Sequence, residues 1–196
     1  ESSVKQEYTS RYLDWVAYIA GKRESRRLLG DKVLTEVDLT DFVIYPDASA
    51  PTSWTIDLHY PDPKNTEHFT GAEFKSIAVH KAIHPYPIPY RCLYSRNVDN
   101  LFMAGRNISV THVALGTVRV MRTTGMMGEV VGMAASIATK HDTTPRGVYQ
   151  KHLRELQRLM TAGAGKHDIE NVQDYNLGGT LGPRKINLQI PPYDKN

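Results

Sequence analysis

Histidine and arginine carry most of the chemistry this sequence could do on a small organic molecule. His112 falls between an apolar run and a helical pattern. An imidazole titrates near neutrality, so His112 could give or take a proton. Alternatively, it satisfies the backbone of a polar loop. Arg119 and Arg122 stand three apart just before the helical pattern. A guanidinium fork suits an anionic substrate, and pairing with an Asp or Glu elsewhere is the other reading. Arg106 directly follows Gly105 and carries the same two readings. Tyr90 and Arg91 end a proline-rich segment, where they either line a pocket or pack. His80 and His84 are four apart, a spacing that suits a metal on a helix. Pro85 and a β-like context argue against that helix, so no metal site is expected. The lone Cys92 has no basic neighbour in sequence and reads as a buried structural thiol. One cysteine excludes an internal disulfide and a multi-cysteine zinc or iron–sulfur centre.

A second feature is a row of small residues. Gly125, Gly128, Gly132 and Ala135 recur at helical spacing and fall on one stripe. Each glycine in a helix interior costs ~1 kcal/mol relative to alanine, so something must make use of the bare surface. Tight packing against a strand is one use. The other is close approach of a flat ligand, with free N–H groups at the helix start facing an anionic group.

The elements that must position these residues follow from periodicity. Tyr8, Tyr12, Trp15, Val16 and Ile19 predict an opening amphipathic helix, with Gly21 at its C-cap and Lys22 and Arg23 in place for the helix dipole. Thr35 predicts a brief capped helix. Phe42–Tyr45, Trp54–Tyr60 and Ser76–His80 read as short strands between prolines, and Pro61–Asn65 as a surface loop. His84–Tyr90 must be extended, because each residue before a proline avoids the α region. Leu101–Ala104 reads as a buried strand ending at Gly105, followed by a polar loop over Arg106–Arg122 and a helix over Thr123–Lys140. Thr143-Thr144-Pro145 opens a last helix bearing Tyr149, Leu153, Leu156 and Met160, with Gly163 beyond its end. The tail from Ala164 has no strong periodicity.

The chain has 196 residues, 40% hydrophobic and 23% charged, as in an ordinary globular protein. A net charge of +3, with aromatics not interleaved among basic residues, gives no reason to expect nucleic acid. The longest near-apolar stretch, Met126–Ala138, is interrupted by Glu129 and is far short of the ~20 residues that span a bilayer, so no membrane is expected. The chain starts at Glu1 without a methionine or a signal pattern, which reads as a processed or cut boundary and leaves localisation open.

Two stretches, Asn100–His112 and Val118–Gly128, together resemble the C-terminal flavin segment of bacterial FAD-dependent oxidoreductases. Arg23–Arg27 with Gly30 and Leu34-Thr35, and Ile88–Arg91, resemble the same family in the same order, so the resemblance runs from about Tyr12 to Leu159. It implies an α/β fold, here an α+β fragment: the C-terminal strand and helix of a three-layer FAD-binding fold, with part of a β-rich substrate region. It divides the chain into residues 1–95 (helix and β region), 96–142 (FAD-binding segment) and 143–196 (helix and tail). It places Ala104, Gly105 and Arg106 near the ribityl–pyrophosphate region. Arg122, Thr123, Thr124, Gly125 and Met126 fall near the pyrimidine edge of the flavin. There, helix N–H groups would stabilise negative charge by ~0.3–2 kcal/mol. His112 and Arg119 become the expected catalytic pair for hydride transfer between a small organic substrate and flavin N5. The family's GxGxxG after a strand, with its acidic residue further on, is missing from this sequence. The resemblance therefore implies a partner, a dinucleotide-binding part in the same gene or another chain, without which FAD is not held tightly. The alternative is a non-catalytic binding or assembly module that keeps the frame without the cofactor.

Overall fold

The structure is a computed structural model that describes residues 12, 14–18, 26–62 and 76–163. It is an α+β mixture of helices and small antiparallel sheets, in agreement with an FAD-binding-fold segment. The elements run α1 (Glu36–Thr40), β1 (Ala48–Thr52), β2 (Ile56–Pro61), β3 (Ser76–Lys81), β4 (Tyr86–Pro89), a 3-10 turn (Tyr90–Cys92), α2 (His112–Val118), α3 (Met121–Lys140) and α4 (Pro145–Ala162).

Local chemistry accounts for the helix ends. Thr35 closes a capping box on α1: its side chain accepts from Asp38 N, while the Asp38 carboxylate accepts from Thr35 N at 2.8 Å. Thr144 caps α4 with Pro145 at the first helical position, and Gly163, at φ 79°, terminates it. The buried face of α3 carries Thr123, Met127, Val130, Ala134 and Ile137 at alternating steps of four and three. That face packs on β1 and α4. Leu156 of α4 is fully buried, and Tyr149, Leu153 and Met160 are partly so.

Two separate two-stranded antiparallel sheets supply the β structure. β1 pairs with β4, matching Thr52 to Tyr86, and β2 pairs with β3, matching Asp57 to His80. The core lies between the β1–β4 pair and the helices, around Tyr86, Ile88, Tyr90, Leu93, Tyr94 and Met103. Short extended segments are laced into it. Leu34 bridges Val110 in parallel, and Tyr94 bridges Phe102 antiparallel. The Tyr90 hydroxyl donates to Pro145 O at 2.9 Å and joins the 3-10 turn to α4. Among the described residues, no helix is long and apolar enough to cross a membrane.

Several expectations are corrected. The opening helix is not formed at Tyr12 or Asp14–Tyr18, which are irregular and exposed. An isolated amphipathic stretch of this length is marginal unless its apolar face is covered. The rest of that segment, including Gly21, Lys22 and Arg23, lies outside the described residues, as do 63–65 of the loop and the tail from Ala164. Phe42–Tyr45 is not a strand. Phe42 has φ 53° and Val43 N donates to Asp38 O, so the chain turns there. The strand lies further on at Ala48–Thr52, where Ala, Ser and Pro hide it from a propensity reading. Leu101–Ala104 contributes a single bridge at Phe102 rather than a strand. The polar loop contains a helix, α2, and α3 starts two residues earlier than expected.

The acid side of the stability curve follows from two carboxylates. Arg146 grips Asp31 with two bonds of 2.7 Å, and Tyr94 donates to it at 2.8 Å. Arg146 foremost holds the Asp31 carboxyl below its ordinary 3.8. Burial acts to raise Asp38, but bonds from Tyr45, Lys32 and Thr35 outweigh it and leave that carboxyl lowered too. A depressed folded pKa gives stability that is present above the unfolded value and lost as pH falls through the folded one. The urea midpoint is therefore expected to hold down to about pH 5 and to fall below about pH 4. Asp31→Asn is expected to flatten that fall, and an unchanged acid limb in this variant would contradict the assignment.

Candidate functional site

Asp57 is the hinge of the candidate site. β2 buries it to 8% exposure, and its partners come from three elements. Arg119, the C-cap of α2, donates from a terminal guanidinium nitrogen to Asp57 Oδ2 and to Asp57 O, both at 3.2 Å. Trp54 Nε1 donates to Oδ2 at 3.4 Å. The other oxygen, Oδ1, is buried without a hydrogen-bond partner. His59 Nε2 lies 2.9 Å from it and His80 Nδ1 3.6 Å, within ion-pair range when either imidazole is protonated. Asp57 and His59 share a face of β2 because strand side chains alternate, and the β2–β3 register sets His80 opposite Asp57.

Packing of α2 against β2 holds these groups together. A Cβ on Gly116 would sit 2.9 Å from both Asp57 N and Asp57 O, so glycine is what lets the helix reach the strand backbone. Thr52 Oγ1 donates to Thr117 O at 2.7 Å, and Thr117 Oγ1 donates to Trp54 O. Thr111 caps α2 by accepting from Ala114 N.

Between α2 and β2 is a cavity of about 160 Å³, lined by Asp57, Leu58, His59, Arg106, His112, Leu115, Gly116 and Arg119. A space of this order holds a molecule near the size of benzene. The lining pairs cationic and proton-transferring groups with one carboxylate and an apolar wall from Leu58 and Leu115. It can orient a small anionic or polar molecule and exchange a proton with it.

Three of the expected site residues meet here: Arg106, His112 and Arg119. His112 stands at the first position of α2 rather than in a loop, with its ring 6.4 Å from that of Tyr60. Arg119 takes the ion-paired arrangement through Asp57. Ala104 is exposed, and Gly105 turns the chain at φ 99°. The others sit at the start of α3. Arg122 and Gly125 are exposed, Met126 is half-buried and packs against the core, and Thr124 Oγ1 donates to Met121 O. Thr123 is buried at 3% on the core-facing side. α3 begins at Val120 with no side-chain cap, whereas threonines cap α1, α2 and α4. Elsewhere, Tyr90 belongs to the core, half-buried Arg91 pairs with buried Asp47, and burial pushes the Cys92 thiol up to about 12, leaving it inert at neutral pH.

Sequence reasoning missed Asp57 and His59. The run Asp57-Leu58-His59 carries the alternation of a strand, which could have flagged a shared polar face. The cap at Thr111, with Ala114, Leu115 and Val118 behind it, could have revealed α2.

A family model described as FAD dependent oxidoreductase matches residues 3–160. Comparison with curated proteins and with solved structures gave no match.

Proposed function

The chain belongs to the FAD dependent oxidoreductase family, and from that premise we propose that it forms the substrate-side half of a flavin site that oxidises or reduces a small organic molecule. The observation that carries this reading is the meeting of Arg106, His112 and Arg119 around one cavity, beside the uncapped start of α3. Arg119 and Val120 adjoin in sequence, so the cavity wall and the helix start are continuous.

The residues present fit the cofactor on two counts. A Cβ on Gly125 would meet nothing within 4 Å, so backbone at the helix start is open to a flat group. The first N–H groups of α3 have no side-chain acceptor from the N-cap, which suits an anionic edge. Ala104, Gly105, Arg106, Arg122, Thr124, Gly125 and Met126 are the residues that would hold it; Thr123, buried, would act through its backbone. When bound, FAD supplies the hydride chemistry at N5. The chain's own residues do the rest. Arg119 orients a polar or anionic substrate, with Asp57 fixing its fork. His112 takes the proton that leaves the substrate's O–H or N–H group while the hydrogen of the adjacent C–H bond departs as hydride. Leu58 and Leu115 shield the contact from water.

Purified with whatever dinucleotide-binding part accompanies it, the protein is expected to show the visible absorption of a flavin. Anaerobic bleaching of that band by candidate small alcohols, amines and hydroxy acids identifies the substrate class. With that substrate, His112→Gln is expected to lower turnover by about 10²–10⁴-fold, as for loss of a general acid or base, at unchanged flavin content. A colourless protein that takes up no FAD would replace this reading with a non-catalytic assembly module, which the missing GxGxxG also allows.

A further inference from the structure

We propose that His141, His152 and Glu155 form a binding site for a divalent first-row transition-metal ion of the zinc type, at the corner where α3 meets α4. His141 is the C-cap of α3, and His152 and Glu155 are three apart on α4, so they share one face of that helix. Donor atoms of the three side chains lie within 4.8 Å of one another. His141 Nε2 is 2.8 Å from Glu155 Oε2, and the two imidazoles stack with centroids 4.0 Å apart. The rings stack face to face, so ligation requires the imidazoles to turn until their in-plane lone pairs converge on one ion, with the donors at the about 3.3 Å separations of a tetrahedral site and bonds of about 2.0–2.2 Å.

The ligand set is two imidazoles and one carboxylate, which selects zinc, cobalt, nickel or copper over magnesium and calcium. The second carboxylate oxygen is already engaged: Lys140 Nζ donates to Glu155 Oε1 at 2.8 Å. An outer hydrogen bond of that kind keeps a ligating carboxylate oriented and monodentate. Three protein ligands leave a fourth position for water.

The competing arrangement is a plain ion pair of Lys140, His141 and Glu155. It has no need of His152, and this separates the two. Thermal unfolding of the untagged chain is followed with Zn²⁺, Co²⁺ and Mg²⁺. Zn²⁺ is expected to raise the midpoint saturably, Co²⁺ to give the visible absorption of a low-symmetry site, and Mg²⁺ to do neither. His152→Gln is expected to weaken Zn²⁺ binding by at least the roughly 10–100-fold that loss of an outer-shell partner costs. Its metal-free midpoint is expected to shift only by the loss of the ring stack with His141, since the His141–Glu155 contact remains. No saturable Zn²⁺ effect, or equal binding by His152→Gln, would overturn the site. Neither outcome depends on whether the protein carries flavin.

Discussion

An Arg91→Met variant is expected to lose about 3–5 kcal/mol of folding stability, the toll of stranding a buried charge. Its partner Asp47 is fully buried at 0% exposure. The carboxylate receives three bonds from this one residue: backbone N and Nε to Oδ2, both at 2.9 Å, and a terminal nitrogen to Oδ1 at 3.0 Å. The rings of Tyr45 and Tyr149 flank the guanidinium at 5.4 and 5.1 Å. That grip raises the Arg91 pKa, with the bond to Asp47 as the foremost cause. The pair also clips the start of β1 to the 3-10 turn, where Tyr90 N donates to Asp47 O at 2.8 Å. Methionine keeps the bulk between the tyrosines but leaves Oδ1 with nothing to accept from. Denaturant midpoints read the loss. Pairing it with Asp47→Asn removes the lone charge, so the double variant is expected to recover part of the stability. A single-variant cost below about 1 kcal/mol would mean the pair behaves as a screened surface contact.

The Arg91 example shows which features the sequence made legible. Helix ends were readable because their chemistry is local: Thr35 with Asp38, Thr144 with Pro145, and Gly163 each act within a few residues. The extended run to Tyr90 was readable because alternating prolines permit little else. Pairings across long separations were not. Arg91 reaches Asp47 at a separation of 44 residues, and Arg119 reaches Asp57 at 62. Either arginine could equally have faced a ligand. What decided between packing and pocket was the register of small sheets whose strands include prolines and alanines. The amphipathic pattern around Trp15 was legible as a pattern, yet a pattern specifies a helix only when a surface covers it.

Alanine at Gly125, Gly128 or Gly132 is expected to stabilise the chain by about 0.5–1 kcal/mol per site, against the usual direction of mutation. A Cβ at each position would meet nothing within 4 Å, and all three glycines are exposed on the side of α3 opposite Met127 and Ala134. Nothing among the described residues recovers what these glycines cost. Met121, at the head of the same helix, is 90% exposed. On the flavin reading, the flat cofactor and the part that carries it close on this bare face. Leucine substitutions at Gly125 and Gly132 then act in two opposed directions. The chain alone keeps or raises its denaturant midpoint, because leucine is a better helix former than glycine. Flavin retention in the assembled protein falls by about 5- to 150-fold, the equivalent of the 1–3 kcal/mol that overpacking costs a close-fitting interface. Side chains that stabilise the helix while leaving flavin content untouched would show that the bare face serves no approach, and the placement of the cofactor at α3 would fall with it.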